Sequence, residues 1–194
     1  MAKDYNIIHY IESKTADMGD KPSSAIVRMI NRLIERKSYG SALSTSVTLF
    51  LAMKHLELEP KLILGTVQYQ NLSYPHSWIE LDEKIFDLAT YIDIQHHPVL
   101  KDRELTLINP QVNITYEDAS EEIRYYPFQF GGTWPLADMK RMVGKTFEDY
   151  ADASPYADIF ADVCYILEIS EVPENLEFLR AVAKLETIKE NDQD

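Results

Sequence analysis

Residues 74–89 read YPHSWIELDEKIFDLA. Tyr74 to Leu81 and Ile85 to Ala89 have the residue pattern of β-strands, and Asp82-Glu83-Lys84 supplies the turn between them. Residues 62–69, LILGTVQY, predict another strand just upstream. The middle of the chain therefore predicts a set of antiparallel strands.

The helix predicted before these strands is apolar on nearly all sides. Residues 42–55 read ALSTSVTLFLAMKH, with Leu43, Val47, Phe50 and Leu51 along one side. A helix that is apolar almost all round is typical of a buried position. The preceding helix, residues 25–36, has a single apolar stripe instead. We therefore expect residues 42–55 to form the central helix.

The second half of the chain predicts an irregular segment followed by helices. Residues 91–132 are aromatic and interrupted by prolines, which suggests a long excursion over the site. Helical patterns follow at residues 136–143, 157–169 and 175–188. The order of helices, then strands, then helices predicts an α+β fold with an antiparallel sheet. We divide the chain into a core, residues 1–133, and a C-terminal helical extension, residues 134–194.

The charge of the chain argues against two classes of partner. The 194 residues include 19 basic and 32 acidic side chains, a formal net charge of -13. Such an excess repels phosphate backbones and anionic lipid, so we expect no nucleic acid and no membrane partner. Residues 1–20 lack the features of a signal peptide, and no apolar run approaches the ~20 residues that span a bilayer. The expected location is the cytoplasm.

Cysteine and histidine usage predicts neither a disulfide nor a metal site. Cys164 is the only cysteine and lies in an apolar helical stretch, so we expect a buried, unreactive thiol. His96 and His97 are adjacent, and no third ligand has suitable spacing, which favours a solvated loop. No metal or organic cofactor is predicted.

Three segments contain the residue types of nucleophilic catalysis. They are the start of the central helix, GSALSTS at 40–46, a strand with HSWIE at 76–80, and a strand with IFDL at 85–88. A helix N-terminus lowers the pKa of a thiol placed there. A histidine on a nearby strand can pair with that thiolate, and an acid on the next strand can fix the imidazole tautomer.

These segments resemble the transglutaminase-like (papain-type) cysteine peptidase superfamily, and within it the bacterial branch of lasso-peptide leader-peptidase-like proteins. That branch has a Cys-Leu-x-x-Ser helix start, an apolar strand ending in Gly-Val, then His-x-Trp-x-Glu and an Asp. This chain has ALSTS at 42–46, LILGTV at 62–67, HSWIE at 76–80 and Asp87, in the same order. The resemblance covers roughly residues 25–90 and leaves the C-terminal half unmatched.

The resemblance implies a fold, a reaction and three site residues. The fold is a papain- or transglutaminase-like core with a central buried helix packed on an antiparallel sheet, plus the C-terminal helices. The reaction is hydrolysis, or transfer to an amine, of a peptide or protein amide through a Cys-His-Asp triad. His76 is implied as the base, Asp87 as its orienting acid, and Ala42 occupies the place of the nucleophilic cysteine.

Ala42 makes the chain as written chemically inactive, because a methyl group has no lone pair with which to attack. A change from cysteine to alanine is a common laboratory device for trapping substrate. Otherwise the chain is a natural pseudoenzyme that holds a peptide or partner protein in the former cleft, or Ser41 or Ser44 is the nucleophile. Both serines suit capping roles, Ser41 as the N-cap and Ser44 in the first turn.

The strand spacing raises a question about the His76–Asp87 pair. A two-residue turn at Glu83-Lys84 would put Asp87 opposite Glu80. His76 and Asp87 then meet only through staggered strands, a bulge or a wider turn. If they do not meet, Glu80 or Asp93 becomes the candidate partner.

An aromatic segment lies downstream of the three motifs. Residues 125–134 read YYPFQFGGTW. Aromatic side chains offer large contact areas at little entropic cost, so the segment could line a peptide-binding cleft. It could equally form a packing strip between the sheet and the C-terminal helices.

Overall fold

The computed structural model describes residues 2–37, 40–69, 72–82, 84–90, 113–115, 123–127, 141–154 and 157–189. Helices precede and follow a five-stranded antiparallel sheet, so the α+β prediction is confirmed. The helices are α1 (Ala2–Thr15), a short 3-10 turn (Ala16–Met18), α2 (Asp20–Arg36), α3 (Ala42–His55), α4 (Phe147–Ala153), α5 (Ile159–Leu167) and α6 (Pro173–Leu185). The strands are β1 (Lys61–Tyr69), β2 (Leu72–Leu81), β3 (Lys84–Asp87), β4 (Asn113–Thr115) and β5 (Ile123–Pro127).

The central position predicted for α3 is confirmed. Every residue from Thr45 to Met53 is buried, and Leu49 and Leu51 are completely enclosed. The helix packs against α2, α5 and α6 and against β1 and β2. The helix is apolar on nearly every side because it contacts other elements on nearly every side.

Helix α2 begins earlier than its apolar stripe predicts. The helix starts at Asp20 and runs through Pro22, so residues 21–24 form its first turns rather than a break. Proline is tolerated there because the first N–H groups of a helix have no partner within the helix. Helix α2 ends at Lys37, whose left-handed backbone (φ 51°) turns the chain toward α3.

The sheet has the strand order β4-β3-β2-β1-β5, and all its pairings are antiparallel. Its centre is the long hairpin of β1 and β2, in which Gly65 lies opposite His76 and Ile63 opposite Trp78. Strand β5 returns along the far side of β1 and places Tyr125 opposite Val67. Two strands thus lie within the segment predicted to be irregular, because their partners are distant in sequence.

The two faces of the sheet have different neighbours. Side chains alternate between faces along a strand. Leu64, Ile79 and Phe86 join the main core, which also contains buried residues of α2, α3, α5 and α6. Ile63, Trp78 and Ile85 form a smaller cluster with Tyr125 on the opposite face. The sheet is therefore covered by helices on one side and by a small aromatic cluster on the other.

Gly65 allows a close approach within that aromatic cluster. A Cβ atom at this position would lie 2.4 Å from the Trp78 ring and 2.6 Å from the backbone oxygen of Tyr126. Both distances are far inside van der Waals contact, and a backbone oxygen in a paired strand cannot move away. The absence of a side chain at Gly65 therefore lets the Trp78 ring approach the β1 backbone closely.

The C-terminal helices differ from the prediction at their beginning. Of the helix expected over 136–143, residues 136–140 lie outside the described residues. Residues 141–144 form turns, and Gly144 has a positive φ of 85°. Helix α4, which was not predicted, follows from a capping box in which Thr146 and Asp149 exchange hydrogen bonds. The capping box is the local signal from which α4 could have been predicted.

The last two helices confirm the predicted patterns to within a few residues, and their side chains enter the main core. Val163 and Leu179 are fully buried in the cluster that contains α2 and α3. The division of the chain at residues 133 and 134 stays a prediction. Within the described residues, no helix has the length and apolarity needed to cross a membrane.

Candidate active site

His76 and Asp87 are joined by a direct hydrogen bond. The Nε2 atom of His76 lies 2.7 Å from Oδ1 of Asp87, and both side chains are fully buried. Glu80, the alternative partner, instead accepts a hydrogen bond of 3.3 Å from the indole N–H of Trp78. Asp93 lies outside the described residues. The pairing expected from the sequence resemblance is therefore present between β2 and the end of β3.

The register explains how the two side chains meet. Leu81 lies opposite Lys84 and Ile79 opposite Phe86, so the turn lies between Leu81 and Lys84 rather than at residues 83 and 84. Asp82 has a left-handed backbone (φ 48°), as tight hairpin turns favour. Continuing this register places Asp87 beside Trp78, diagonally next to His76 on the same face. The concern about spacing came from placing the turn one residue too late.

Two residues that the sequence analysis missed complete the contacts of Asp87. Thr90 donates its backbone N–H to Oδ1 at 3.1 Å, and its hydroxyl donates to Oδ2. Tyr125 donates its hydroxyl to Oδ2 at 2.6 Å. Both carboxylate oxygens of Asp87 therefore accept two hydrogen bonds each.

A sequence signal existed for Thr90 but not for the role of Tyr125. An aspartate at the end of a strand commonly accepts the backbone N–H three residues later, and this contact also ends β3. Tyr125 lies 38 residues from Asp87 and approaches it only because β5 pairs with β1. Its ring packs on Trp78 with centroids 4.9 Å apart. Tyr125 thus combines packing with a hydrogen bond to the acid, while residues 128–134 of the aromatic segment lie outside the described residues.

The hydrogen bonds determine the tautomer of the His76 ring. A carboxylate only accepts hydrogen bonds, so the Nε2 atom of His76 must carry the proton shared with Asp87. The Thr90 hydroxyl, 3.0 Å from the same nitrogen, accepts from it while donating to Asp87. In the neutral ring the basic lone pair is then on Nδ1. The arrangement is the one that a general base oriented by an acid requires.

The pKa of Asp87 is held below its ordinary value. Burial by itself raises this pKa, because it penalises the charged carboxylate. The charge of the His76 ring and the hydrogen bonds from His76, Thr90 and Tyr125 outweigh that penalty. Asp87 is therefore a carboxylate at neutral pH, although it is fully enclosed.

Ala42 is the first residue of α3, with Ser41 at the N-cap position. Ser41 therefore occupies the predicted N-cap position, but its side chain makes no capping hydrogen bond to the backbone and lies 3.3 Å from the Thr45 hydroxyl. Ser44, in the first turn, donates to the Ser41 carbonyl at 2.9 Å. A thiol at position 42 would therefore lie at the positive end of the helix dipole.

The position of α3 relative to the sheet limits how residue 42 can approach His76. His76 and Asp87 alternate with the core-facing residues and share the face of Trp78, whereas α3 packs with Leu64 and Ile79 on the other face. The contacts of the described residues therefore do not bring a side chain at position 42 to the His76 ring.

Cys164 is buried in α5, as expected from its apolar surroundings. Burial raises the pKa of its thiol, and the charges of Glu171 and Asp158 raise it further. It is thus in the wrong ionisation state for a nucleophile at neutral pH. His96 and His97 lie outside the described residues.

Comparison with known proteins adds no family to this geometry. No family model matches the chain, and no curated protein or solved structure shows significant similarity to it. The His76–Asp87 pair and its place in an α+β fold are therefore the features from which function must be inferred.

Proposed function

We propose that this chain has the architecture of a transglutaminase-like cysteine hydrolase that acts on a peptide or protein amide, with residue 42 at the nucleophile position. The observation that carries the proposal is the hydrogen bond from His76 Nε2 to Asp87, between neighbouring strands that follow the central helix. It leaves Nδ1 as the basic nitrogen of the neutral ring. With Ala42 in place, the chain lacks the group that would attack.

The proposed reaction begins with a cysteine at position 42. Its thiolate attacks the amide carbonyl carbon, and the tetrahedral intermediate collapses to a thioester as the C–N bond breaks. The His76 imidazolium donates its proton to the departing amine and then removes a proton from water. That water attacks the thioester, which releases the acid and restores the thiol. If an amine replaces the water, the same steps give acyl transfer.

Asp87 has an orienting role in this scheme. Its charge stabilises the imidazolium, and its hydrogen bond holds the ring in one tautomer. Thr90 and Tyr125 hold the carboxylate in turn, through the hydrogen bonds to Oδ2. We infer that these two are positioning residues, since their described contacts are with the acid and the ring rather than with a substrate.

A second function, a pseudoenzyme that binds a peptide or partner protein, is favoured by one feature of the site. Both members of the pair have no exposed side-chain area. A general base must reach its substrate, whereas a structural pair can remain enclosed. Together with the methyl group of Ala42, this burial suits a fold that has kept its internal hydrogen bonds without the reaction.

The test is to introduce the thiol and measure its reactivity. We would compare Ala42→Cys, at a largely buried position, with Ser73→Cys, an exposed thiol on β2 that serves as the reference for an unperturbed thiol, by alkylation with iodoacetamide across pH. Intact mass and peptide mapping would separate each site from Cys164. If the proposal is right, the thiol at position 42 reacts at mildly acidic pH, where an ordinary thiol of pKa about 8.5 does not.

A second variant connects that reactivity to the pair. Adding Asp87→Asn to Ala42→Cys should return the alkylation profile to that of Ser73→Cys, because the amide no longer stabilises an imidazolium. Circular dichroism would verify that the double variant is folded. A thiol at 42 that behaves like Ser73→Cys with Asp87 intact would reject the hydrolase and leave the binding function.

A further inference from the structure

A cavity of about 620 Å³ lies between α2, the opening of α3, α4 and α5. Its volume is within the range of small-molecule sites. It reaches the first turn of α3 at Ser41 and Ser44, and its described lining includes neither His76 nor Asp87. The cavity is therefore a separate feature from the buried pair.

The lining of this cavity is mostly cationic, although the chain as a whole is acidic. Among the described lining residues, four are cationic (Arg32, Arg36, Lys37 and Lys145) and one, Asp162, is acidic. The whole chain has a net charge of -13. A basic concavity in an acidic protein attracts anions locally and repels them elsewhere.

The two arginines are held in place by the one acid. Arg32 donates to Oδ1 of Asp162 from Nε at 3.1 Å and from Nη2 at 3.0 Å, and Arg36 donates to Oδ2 from Nη1 at 2.5 Å. The Arg32 guanidinium also lies over the Tyr165 ring, 4.5 Å from its centroid. One carboxylate neutralises only one of the two guanidinium groups. The pair therefore retains a positive charge in a fixed orientation, which lowers the entropic cost of binding an anion.

Neutral hydroxyl groups and apolar surface also line the cavity. Tyr150 reaches the cavity beside Ser44, and burial raises the pKa of its phenol to about 12 despite a hydrogen bond with Ser44. It remains a neutral O–H group at physiological pH. Met29 and Leu33 supply apolar surface from α2. The lining thus offers positive charge, neutral hydroxyl groups and an apolar wall.

We propose that this cavity binds a small organic anion, with a carboxylate or phosphate group near the arginine pair and an apolar body against Met29 and Leu33. Guanidinium groups recognise both kinds of oxyanion in the same geometry. The binding does not depend on the reaction proposed for residue 42. The ligand would bind among the helices, away from the His76–Asp87 pair in the sheet.

The experiment uses the full chain and three probes of similar size. Phenyl phosphate and 3-phenylpropionate carry the two anions, and 3-phenylpropanol is the neutral control. Binding would be measured by calorimetry and by amide chemical shifts at two salt concentrations. Fragments of this size bind with dissociation constants of roughly millimolar. We expect at least one anion to bind about tenfold tighter than the alcohol and more weakly at high salt, and the tighter anion identifies the oxyanion class.

Three variants locate the binding without disturbing the Asp162 contacts. Ala153→Phe, on the lining, fills the cavity and should abolish binding, while Lys145→Met should weaken it several-fold. Lys61→Met removes an exposed lysine of β1 and should change nothing. Thermal unfolding would verify that each variant is folded. The proposal is overturned if neither anion binds, if the alcohol binds as tightly, or if folded Ala153→Phe binds as well as the parent chain.

Discussion

Two buried carboxylates, Asp87 in the sheet and Asp162 in the helices, are stabilised in different ways. Asp87 accepts four hydrogen bonds, of which one comes from a group that can change its protonation, His76. Asp162 is held by two guanidinium groups, which stay charged at any physiological pH. The first arrangement can take part in proton transfer. The Asp162 arrangement cannot transfer a proton and only holds two positively charged guanidinium groups in position.

The largest effect is expected at Asp162. Asp162→Asn leaves both arginines without their counter-charge while keeping the shape of the side chain. Removing one partner from a buried ion pair costs roughly 3–5 kcal/mol, and the partial exposure of Arg32 and Arg36 reduces this to about 2–4 kcal/mol. Urea unfolding at neutral pH would measure the change. A loss under about 1 kcal/mol would show that water screens the pair and would remove the contrast between the two sites.

An intermediate effect, with a distinct pH dependence, is expected at Asp87. Its pKa in the folded state lies below the ordinary carboxyl value. As the pH falls below about 4, the unfolded state therefore binds a proton that the folded state does not, and the free energy of unfolding decreases.

Asp87→Asn removes this component of the pH dependence. At pH 7 the variant should be less stable by roughly 1–3 kcal/mol, because hydrogen bonds to a charged group are lost. The difference between the two proteins should shrink as the pH falls from about 5 to 2. Paired urea titrations at each pH would test this. A difference that stays constant with pH would mean that the Asp87 carboxyl has no depressed pKa.

The smallest effect is expected at Tyr125. Tyr125→Phe keeps the ring on Trp78 and removes one hydrogen bond to Asp87, so we expect a loss of about 1–2 kcal/mol. The neighbouring Tyr126, which is 45% exposed, offers a matched control. Tyr126→Phe should change the stability by less than about 0.5 kcal/mol. Equal effects of the two substitutions would show that the Tyr125 hydroxyl contributes nothing specific.

Much of the sheet side could be predicted because its signals are local. The hairpin of β2 and β3 brings His76 within reach of Asp87 over 11 residues, and the alternation of the strands puts them on one face. The error in the turn position came from a one-residue ambiguity among Asp82, Glu83 and Lys84. The meeting of a thiol at position 42 with this pair stays a prediction.

The helical side could not be predicted in the same way. Arg32 and Asp162 are 130 residues apart, and nothing in the periodicity of either helix indicates that they face each other. Arginine on α2 looks like an ordinary surface charge, and Asp162 like an exposed acid of an apolar helix. Their pairing follows only from the packing of α5 on α2.

The sequence by itself determined the elements whose patterns are periodic, which are the buried helix α3 and the central strands. The pairing of His76 with Asp87 was expected from the family resemblance, whereas the strand spacing left Glu80 and Asp93 open. Only the tertiary structure decided the contacts between distant segments: Tyr125 on Asp87, Asp162 between two arginines, and the cavity beside α3. The physical reason is that periodicity tells which side of an element is buried, whereas its partner depends on how all the elements pack together.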